Sequence, residues 1–161
     1  MSAETICRDE LVEQFNRAWD MVIQAVERLS DANWTADDDG RYTPARVAYH
    51  LLKAAERYTY VGDPEEYLKQ QRFNKDWVEA LIAELPSRDQ CPADLRAMKS
   101  RTAAWLGEGG KDGLTGSPAK WPWVGKTLLG QAVYFLRHTQ HHQAELNAAL
   151  KRLGRQPVKW K

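Results

Sequence analysis

Apolar side chains recur at steps of three and four residues along most of this sequence, which is the spacing of one face of an α-helix. The first apolar stripe predicts a helix from about residue 4 to 29. Its members are Leu11, Phe15, Ala18, Val22, Val26 and Leu29. The segment 30–42 interrupts the stripe, and Thr43-Pro44 then has the form of an N-cap followed by proline at the first helical position.

Further stripes predict three more long helices, over about 44–61, 93–106 and 126–153, with Gly154 ending the last. Between the first two of these, a weaker pattern extends over 64–84, and we expect it to be helical as well. A glycine- and proline-rich loop occupies 107–123. No segment has the alternating pattern of a strand, so the sequence predicts an all-α protein in which a helix bundle buries the stripes.

Length and composition narrow the class of protein. The 161 residues fit a single domain, 1–161, and 43% hydrophobic residues exclude a disordered chain. A net charge of +1 argues against a dedicated nucleic-acid binder. No secretory signal or membrane-length apolar segment is visible, and Cys7 and Cys91 form no CxxC motif. We therefore expect a cytoplasmic protein without nucleic-acid or membrane partners.

Three of the four histidines fall in one five-residue stretch, 138–142, of the last predicted helix. His138 and His142 are four residues apart, which places them about 40° apart on one helical face. Counting along the helix aligns His142 with its apolar stripe, so His142 points into the bundle with His138 beside it. His141 is displaced by about 100° toward the edge of the stripe. Viewed down the helix axis, Glu145 lies at an angle between those of His141 and His142. Its carboxylate would accept a hydrogen bond there from a ligand histidine.

His50 adds a third imidazole from another helix, because it lies on the same apolar face as Val47 and Ala54. Three neutral imidazoles suit Zn²⁺, Ni²⁺ or Fe²⁺ and leave coordination positions open. The alternative is structural: His50 would be a satisfied core histidine, and the 138–142 cluster a polar edge of its helix. Three tryptophans, Trp19, Trp77 and Trp105, are most simply core or near-core groups at helical spacing.

The two histidine segments resemble those of the DinB-like superfamily, also called the YfiT-like metal-dependent hydrolases. They are Thr43–Leu52 and His138–Leu146, and Trp121-Pro122-Trp123 before the last helix is also similar. The resemblance implies a four-helix bundle in up-down-down-up order, with His50, His138 and His142 as ligands of a divalent metal. Two parallel neighbouring helices need a connection that returns along the bundle, and about 20 helical residues would span ~30 Å there.

Two functional hypotheses follow. In the first, the protein is a metal-dependent enzyme acting on a small molecule, with His141 or Glu145 assisting proton transfer. The family includes hydrolases and transferases that use low-molecular-weight thiols, and no motif here chooses between them. In the second, the bundle is a non-catalytic, metal-stabilised scaffold or ligand carrier. A four-helix domain serving a homodimer is a third, minor alternative.

Overall fold

The computed structural model describes residues 1–36, 42–108, 113–116 and 120–160, and the regular secondary structure of these residues is helical, without strands. In chain order the helices are α1 (Ala3–Glu27), α2 (Asp31–Trp34), α3 (Pro44–Tyr58), α4 (Pro64–Gln70), α5 (Cys91–Glu108), α6 (Gly113–Gly116) and α7 (Leu128–Arg152). A 3₁₀ turn covers Ile82–Glu84. The four long helices lie where the apolar stripes predict them. Parts of the interrupting segment 30–42 and of the expected loop 107–123 lie outside the described residues.

Side-chain caps fix where the two histidine-bearing helices begin. The Thr43 hydroxyl accepts the Arg46 amide at 3.3 Å, and Pro44 occupies the first turn of α3, as the sequence predicts. Thr127 caps α7 in the same way, accepting the Gly130 amide at 3.1 Å. Each cap satisfies an amide that the first turn leaves unpaired.

Contacts between helices give their directions. α1 and α5 are antiparallel, because Arg8 reaches the Leu106 carbonyl while Asp20 pairs with Lys99. α1 and α7 are parallel. Phe15 of α1 packs on Phe135 of α7, and Arg28, just after α1, donates to the Gln156 and Pro157 carbonyls, which follow α7.

The remaining long helix, α3, is antiparallel to α7. Its Tyr58 lies beside Phe135, and its His50 lies beside His142. Both α3 and α5 therefore run opposite to α1 and α7. This up-down-down-up order of the four long helices confirms the predicted bundle.

The centre of the core is aromatic. The fully buried Phe135 ring of α7 has Phe15 at 5.0 Å, Trp19 at 6.1 Å, Tyr58 at 5.4 Å and Trp105 at 6.5 Å between centroids. Trp19 and Trp105 are thus core groups, as expected. Aromatic rings at such separations add to the free energy gained from burying their area.

The crossover from α3 to α5 begins with the expected helix, but that helix, α4, ends at Gln70 rather than near residue 84. Gln71 has extended dihedral angles, and turns follow to the 3₁₀ segment. The apolar stripe here is weak, and Asn74 occupies one of its helical positions. Backbone groups of 72–77 bond to side chains of α3 instead of to one another.

Across the described residues, no helix combines the length and the apolar character that crossing a membrane requires.

Candidate metal centre

The antiparallel pair α3 and α7 brings three histidines together. His50, His138 and His142 each offer a ring nitrogen, and these three atoms lie within 4.8 Å of one another. His142 is 7% exposed, and the other two are half-buried. The helical spacing of His138 and His142 therefore does what the sequence predicts: both rings face α3, where His50 meets them.

The rings are in close contact. His50 Nε2 is 2.9 Å from His138 Nε2, and the His142 centroid lies 4.6 Å from His50 and 4.5 Å from His138. The Nδ1 atoms of His50 and His138 are buried and have no hydrogen-bond partner in the described part of the chain. The three rings thus form a compact cluster whose polar atoms are incompletely paired.

Glu145 supports one ring of the cluster. Its Oε2 is 2.6 Å from His142 Nδ1, three residues earlier on α7. A carboxylate accepts only, so His142 Nδ1 carries the proton and its Nε2 keeps a lone pair. The predicted acceptor position of Glu145 relative to His142 is the position that the structure shows.

His141 lies outside the three-nitrogen cluster but beside it, with its ring centroid 4.9 Å from that of His142. Its side chain is 68% exposed, and its Nε2 is 3.5 Å from Glu145 Oε1. A groove of about 530 Å³ runs beside it and reaches His138. The described residues that line this groove are Tyr134, Arg137, His138, Gln140 and His141.

A second cavity, of about 580 Å³, lies on the Glu145 side of α7. Its lining is mainly apolar and includes Tyr42, Val47 and Leu146, and no member of the three-histidine cluster lines it. Of these two cavities, the groove beside His138 is the one that reaches a histidine of the cluster.

The cluster is neutral near physiological pH. Burial, followed by the neighbouring His142, lowers the pKa of His50 to about 3 and that of His138 to about 3. Burial also lowers the pKa of His142, although the Glu145 carboxylate opposes this shift. Metal ligation requires neutral imidazole, so all three rings are in the form that binds a cation.

The nitrogens of the cluster are better satisfied by a divalent ion than by hydrogen bonds to one another. Two neutral imidazoles that share one proton between Nε2 atoms leave a buried Nδ1–H without an acceptor in one ring, at a cost of about 1–3 kcal/mol. A cation would use both Nε2 lone pairs. Two nitrogens bound to one ion at roughly 2.0–2.1 Å are about 2.9–3.4 Å apart for bond angles near 90–109°. The 2.9 Å spacing of His50 and His138 matches the short end of that range.

Trp77 also belongs to this site, which its assignment to a helical core stripe misses. It lies in a turn of the crossover, half-buried, with its indole 4.3 Å from the His50 ring and 6.5 Å from the His142 ring. The signal in the sequence is a row of polar side chains on α3, because these bond to the irregular backbone that leads to Trp77. They are Arg46, Tyr49, Lys53 and Glu56.

Comparisons with known proteins agree with this fold. The sequence matches the family model of the DinB superfamily over residues 14–146. YfiT from Bacillus subtilis, described as a probable metal-dependent hydrolase with an unusual four-helix bundle topology, aligns with a TM-score of 0.64 at 17% identity. That alignment covers 96% of this chain and 91% of YfiT, and it shows a shared fold. The comparison with curated proteins gave no match. Because the family model spans most of the sequence, this chain belongs to the DinB superfamily.

Proposed function

We propose that this protein is a divalent-metal-dependent hydrolase of small molecules, with His50, His138 and His142 as the metal ligands. The observation that carries the proposal is the cluster itself, three neutral imidazoles within 4.8 Å between two helices. The shared fold with YfiT supports the same class of chemistry, since that protein is described as a probable metal-dependent hydrolase.

Three protein ligands leave coordination positions open, and an ion held in that way supplies Lewis acidity and ionises water near neutral pH. Zn²⁺, Ni²⁺ and Fe²⁺ all accept imidazole nitrogen, so the donor set supports each of them. The protein supplies the half-buried surroundings, which strengthen electrostatic effects at the reacting atoms.

The two α7 residues outside the ligand set have different roles in this proposal. Glu145 keeps a proton on His142 Nδ1 and so holds the ring with Nε2 toward the other histidines. It acts through His142, as a positioning residue. His141 is exposed at the groove, so its Nε2 can exchange a proton with a substrate or with solvent there.

The groove beside His138 supports an anionic substrate. None of the described residues that line it is acidic, and Arg137 is exposed there without an ion-pair partner among the described residues. The Tyr134 ring, which stacks on His138, offers an apolar surface next to the charge. A small carboxylate or phosphate ester with an apolar part would match these groups.

Metal analysis tests the ligand assignment. Purified protein loaded with Zn²⁺, Ni²⁺ or Fe²⁺ is expected to retain one ion per chain after desalting. His138→Ala and His142→Ala should lose it, whereas His141→Ala, which changes a histidine of the same helix, should keep it. Retention of the ion by His138→Ala, or no binding by the wild type, would refute the proposed site.

Turnover tests the reaction class. Activity against a panel of activated esters, amides and phosphate esters should disappear with a chelator, return with metal, and fall in Arg137→Gln for anionic substrates alone. Thiol conjugation in place of hydrolysis would identify a thiol-dependent transferase. Metal binding with no turnover, and with a Co²⁺ spectrum that added azide or thiol does not change, would indicate the scaffold alternative.

A further inference from the structure

The backbone of the crossover segment that follows α4 is hydrogen-bonded to side chains of α3. Four α3 side chains, spaced three or four residues apart, bond to main-chain atoms of residues 72–77. They are Arg46, Tyr49, Lys53 and Glu56. We call residues 71–77 the strap.

The bonds to the strap are specific. The buried Glu56 carboxylate accepts the amides of Arg72 at 2.9 Å and Phe73 at 3.1 Å. The Tyr49 hydroxyl accepts the Lys75 amide at 3.0 Å, and Lys53 donates to the Lys75 carbonyl. These contacts replace the hydrogen bonds that a helix would have made, and they set the path of the chain up to residue 77.

The last contact places an aromatic ring on a ligand. Arg46 Nη1 donates to the Trp77 carbonyl at 3.0 Å. The Trp77 indole contacts both the Tyr42 ring, at 4.3 Å and 52°, and the His50 ring, at 4.3 Å and 33°. The His50 ring therefore packs against an indole that is itself packed against a second aromatic ring.

Packing on Trp77 matters for His50 because the second ring nitrogen of His50 has no hydrogen-bond acceptor in the described chain. A metal-bound histidine commonly donates its second ring nitrogen to a carboxylate or carbonyl, which fixes the ring plane. His142 has this contact through Glu145, but His50 Nδ1 is buried without a partner in the described chain. Among the described residues outside the cluster, the aromatic ring that packs on His50 is Trp77, at 4.3 Å between centroids and 33° between planes.

We propose that Trp77 is a positioning residue of the metal site, which orients the His50 imidazole by stacking where a hydrogen-bond acceptor is missing. This inference rests on the proposed function, because it assigns Trp77 a role toward a metal that His50 binds. Stacking fixes a ring without adding negative charge, so His50 is a less basic ligand than a carboxylate-bound histidine. The bound ion would then keep more of its Lewis acidity.

Co²⁺ binding tests the role without any assay of turnover. Affinity is measured by chelator competition and geometry by the visible spectrum of the Co²⁺ protein, in wild type, Trp77→Leu and Trp77→Phe. Losing a group that orients a ligand typically lowers metal affinity 10–100-fold. We expect that loss, with an altered spectrum, in Trp77→Leu. Trp77→Phe keeps a stacking ring and should remain within about threefold of wild type.

Trp105→Leu is the matched control, because Trp105 is buried but contacts Phe135 and no histidine in the described structure. It should lower the melting temperature and leave Co²⁺ affinity and spectrum unchanged. Should Trp77→Leu fail to fold, Arg46→Met removes the hydrogen bond that holds the Trp77 carbonyl while keeping the indole. A weaker affinity than wild type is expected there too. Wild-type affinity and spectrum in the folded Trp77 or Arg46 variant would overturn the inference. Absence of Co²⁺ binding by the wild type would instead overturn the proposed function.

Discussion

The helix pairs α1–α5 and α3–α7 satisfy their polar groups in different ways. Along α1 and α5 the polar side chains that bridge the two helices are matched: Arg8 donates to the Leu106 carbonyl at 2.6 Å, and Lys99 pairs with Asp20 at 2.6 Å. Between α3 and α7, the Nδ1 atoms of His50 and His138 are buried without partners in the described chain. On the first pair, Trp19 Nε1 is the exception.

This difference separates stability from function. A buried polar atom without a partner costs about 1–3 kcal/mol, so an arrangement selected for stability alone would pair or remove it. The α1–α5 pair, packed on the aromatic core, supplies folding free energy. The α3–α7 pair gives up part of that free energy to hold three ring nitrogens close together. A cation that occupies the cluster would recover the loss.

The largest expected change in stability comes from a substitution in α1, in the pair α1–α5. Phe15→Ala deletes a ring that is 1% exposed and packs on Phe135 at 5.0 Å. Such a deletion costs about 3–5 kcal/mol of unfolding free energy, through lost burial and the remaining cavity. Urea unfolding of the metal-free protein measures it. Metal affinity of the folded variant should match the wild type, and a 10-fold weaker affinity would show that the two regions are coupled.

Metal addition should stabilise the protein through the α3–α7 pair alone. At a free metal concentration 100 times the dissociation constant, binding to the native state adds about 2.7 kcal/mol of unfolding free energy. Wild type and Phe15→Ala should gain the same increment, because Phe15 packs on Phe135 rather than on a histidine of the cluster, and sites that do not touch contribute additively. Differential scanning calorimetry with and without Ni²⁺ or Zn²⁺ checks this. A gain in Phe15→Ala smaller by 1 kcal/mol or more would contradict independence.

Most core substitutions lower stability, but replacing His50 and His138 should raise the stability of the metal-free protein. The double variant His50→Leu and His138→Leu keeps similar side-chain volume while removing both orphaned Nδ1 atoms. We expect the metal-free protein to become more stable by about 1–3 kcal/mol, because no buried polar atom of that pair remains. It should also lose metal binding and the stabilisation that metal gives. Denaturant unfolding of the metal-free forms decides, and a less stable double variant would mean that the histidines pack better than leucines.

The sequence predicts the bundle and the meeting of the three histidines, because both depend on helical periodicity. His142 lies in line with the apolar stripe of α7, and its separation from His138 places the two rings on one face of any straight helix. Glu145 follows from the same geometry. These predictions need only one helix at a time, plus the inward face of α3.

The position of Trp77 could not be predicted in that way. It depends on bonds from Glu56 and Arg46 to backbone atoms more than ten residues away, which override the weak helical pattern of the crossover. The 2.9 Å spacing of the His50 and His138 nitrogens likewise depends on how two helices dock. Periodicity indicates which face a residue occupies, and it does not give the distance between faces.

The smallest expected effect concerns the matched ion pair on the stable side. Asp20 and Lys99 join α1 to α5 at 2.6 Å but remain partly exposed, with 43% and 28% of their side chains accessible. Exposed pairs contribute about 0.2–1 kcal/mol, and Asp20→Asn should lower stability by no more than that. Glu13→Gln, in a pair within α1, is the control that removes a carboxylate without touching α5. In 1 M salt the screening length falls to about 3 Å, so the excess of Asp20→Asn over the control should vanish. Persistence of that excess in salt would mean that the hydrogen bond, rather than the charge, joins the two helices.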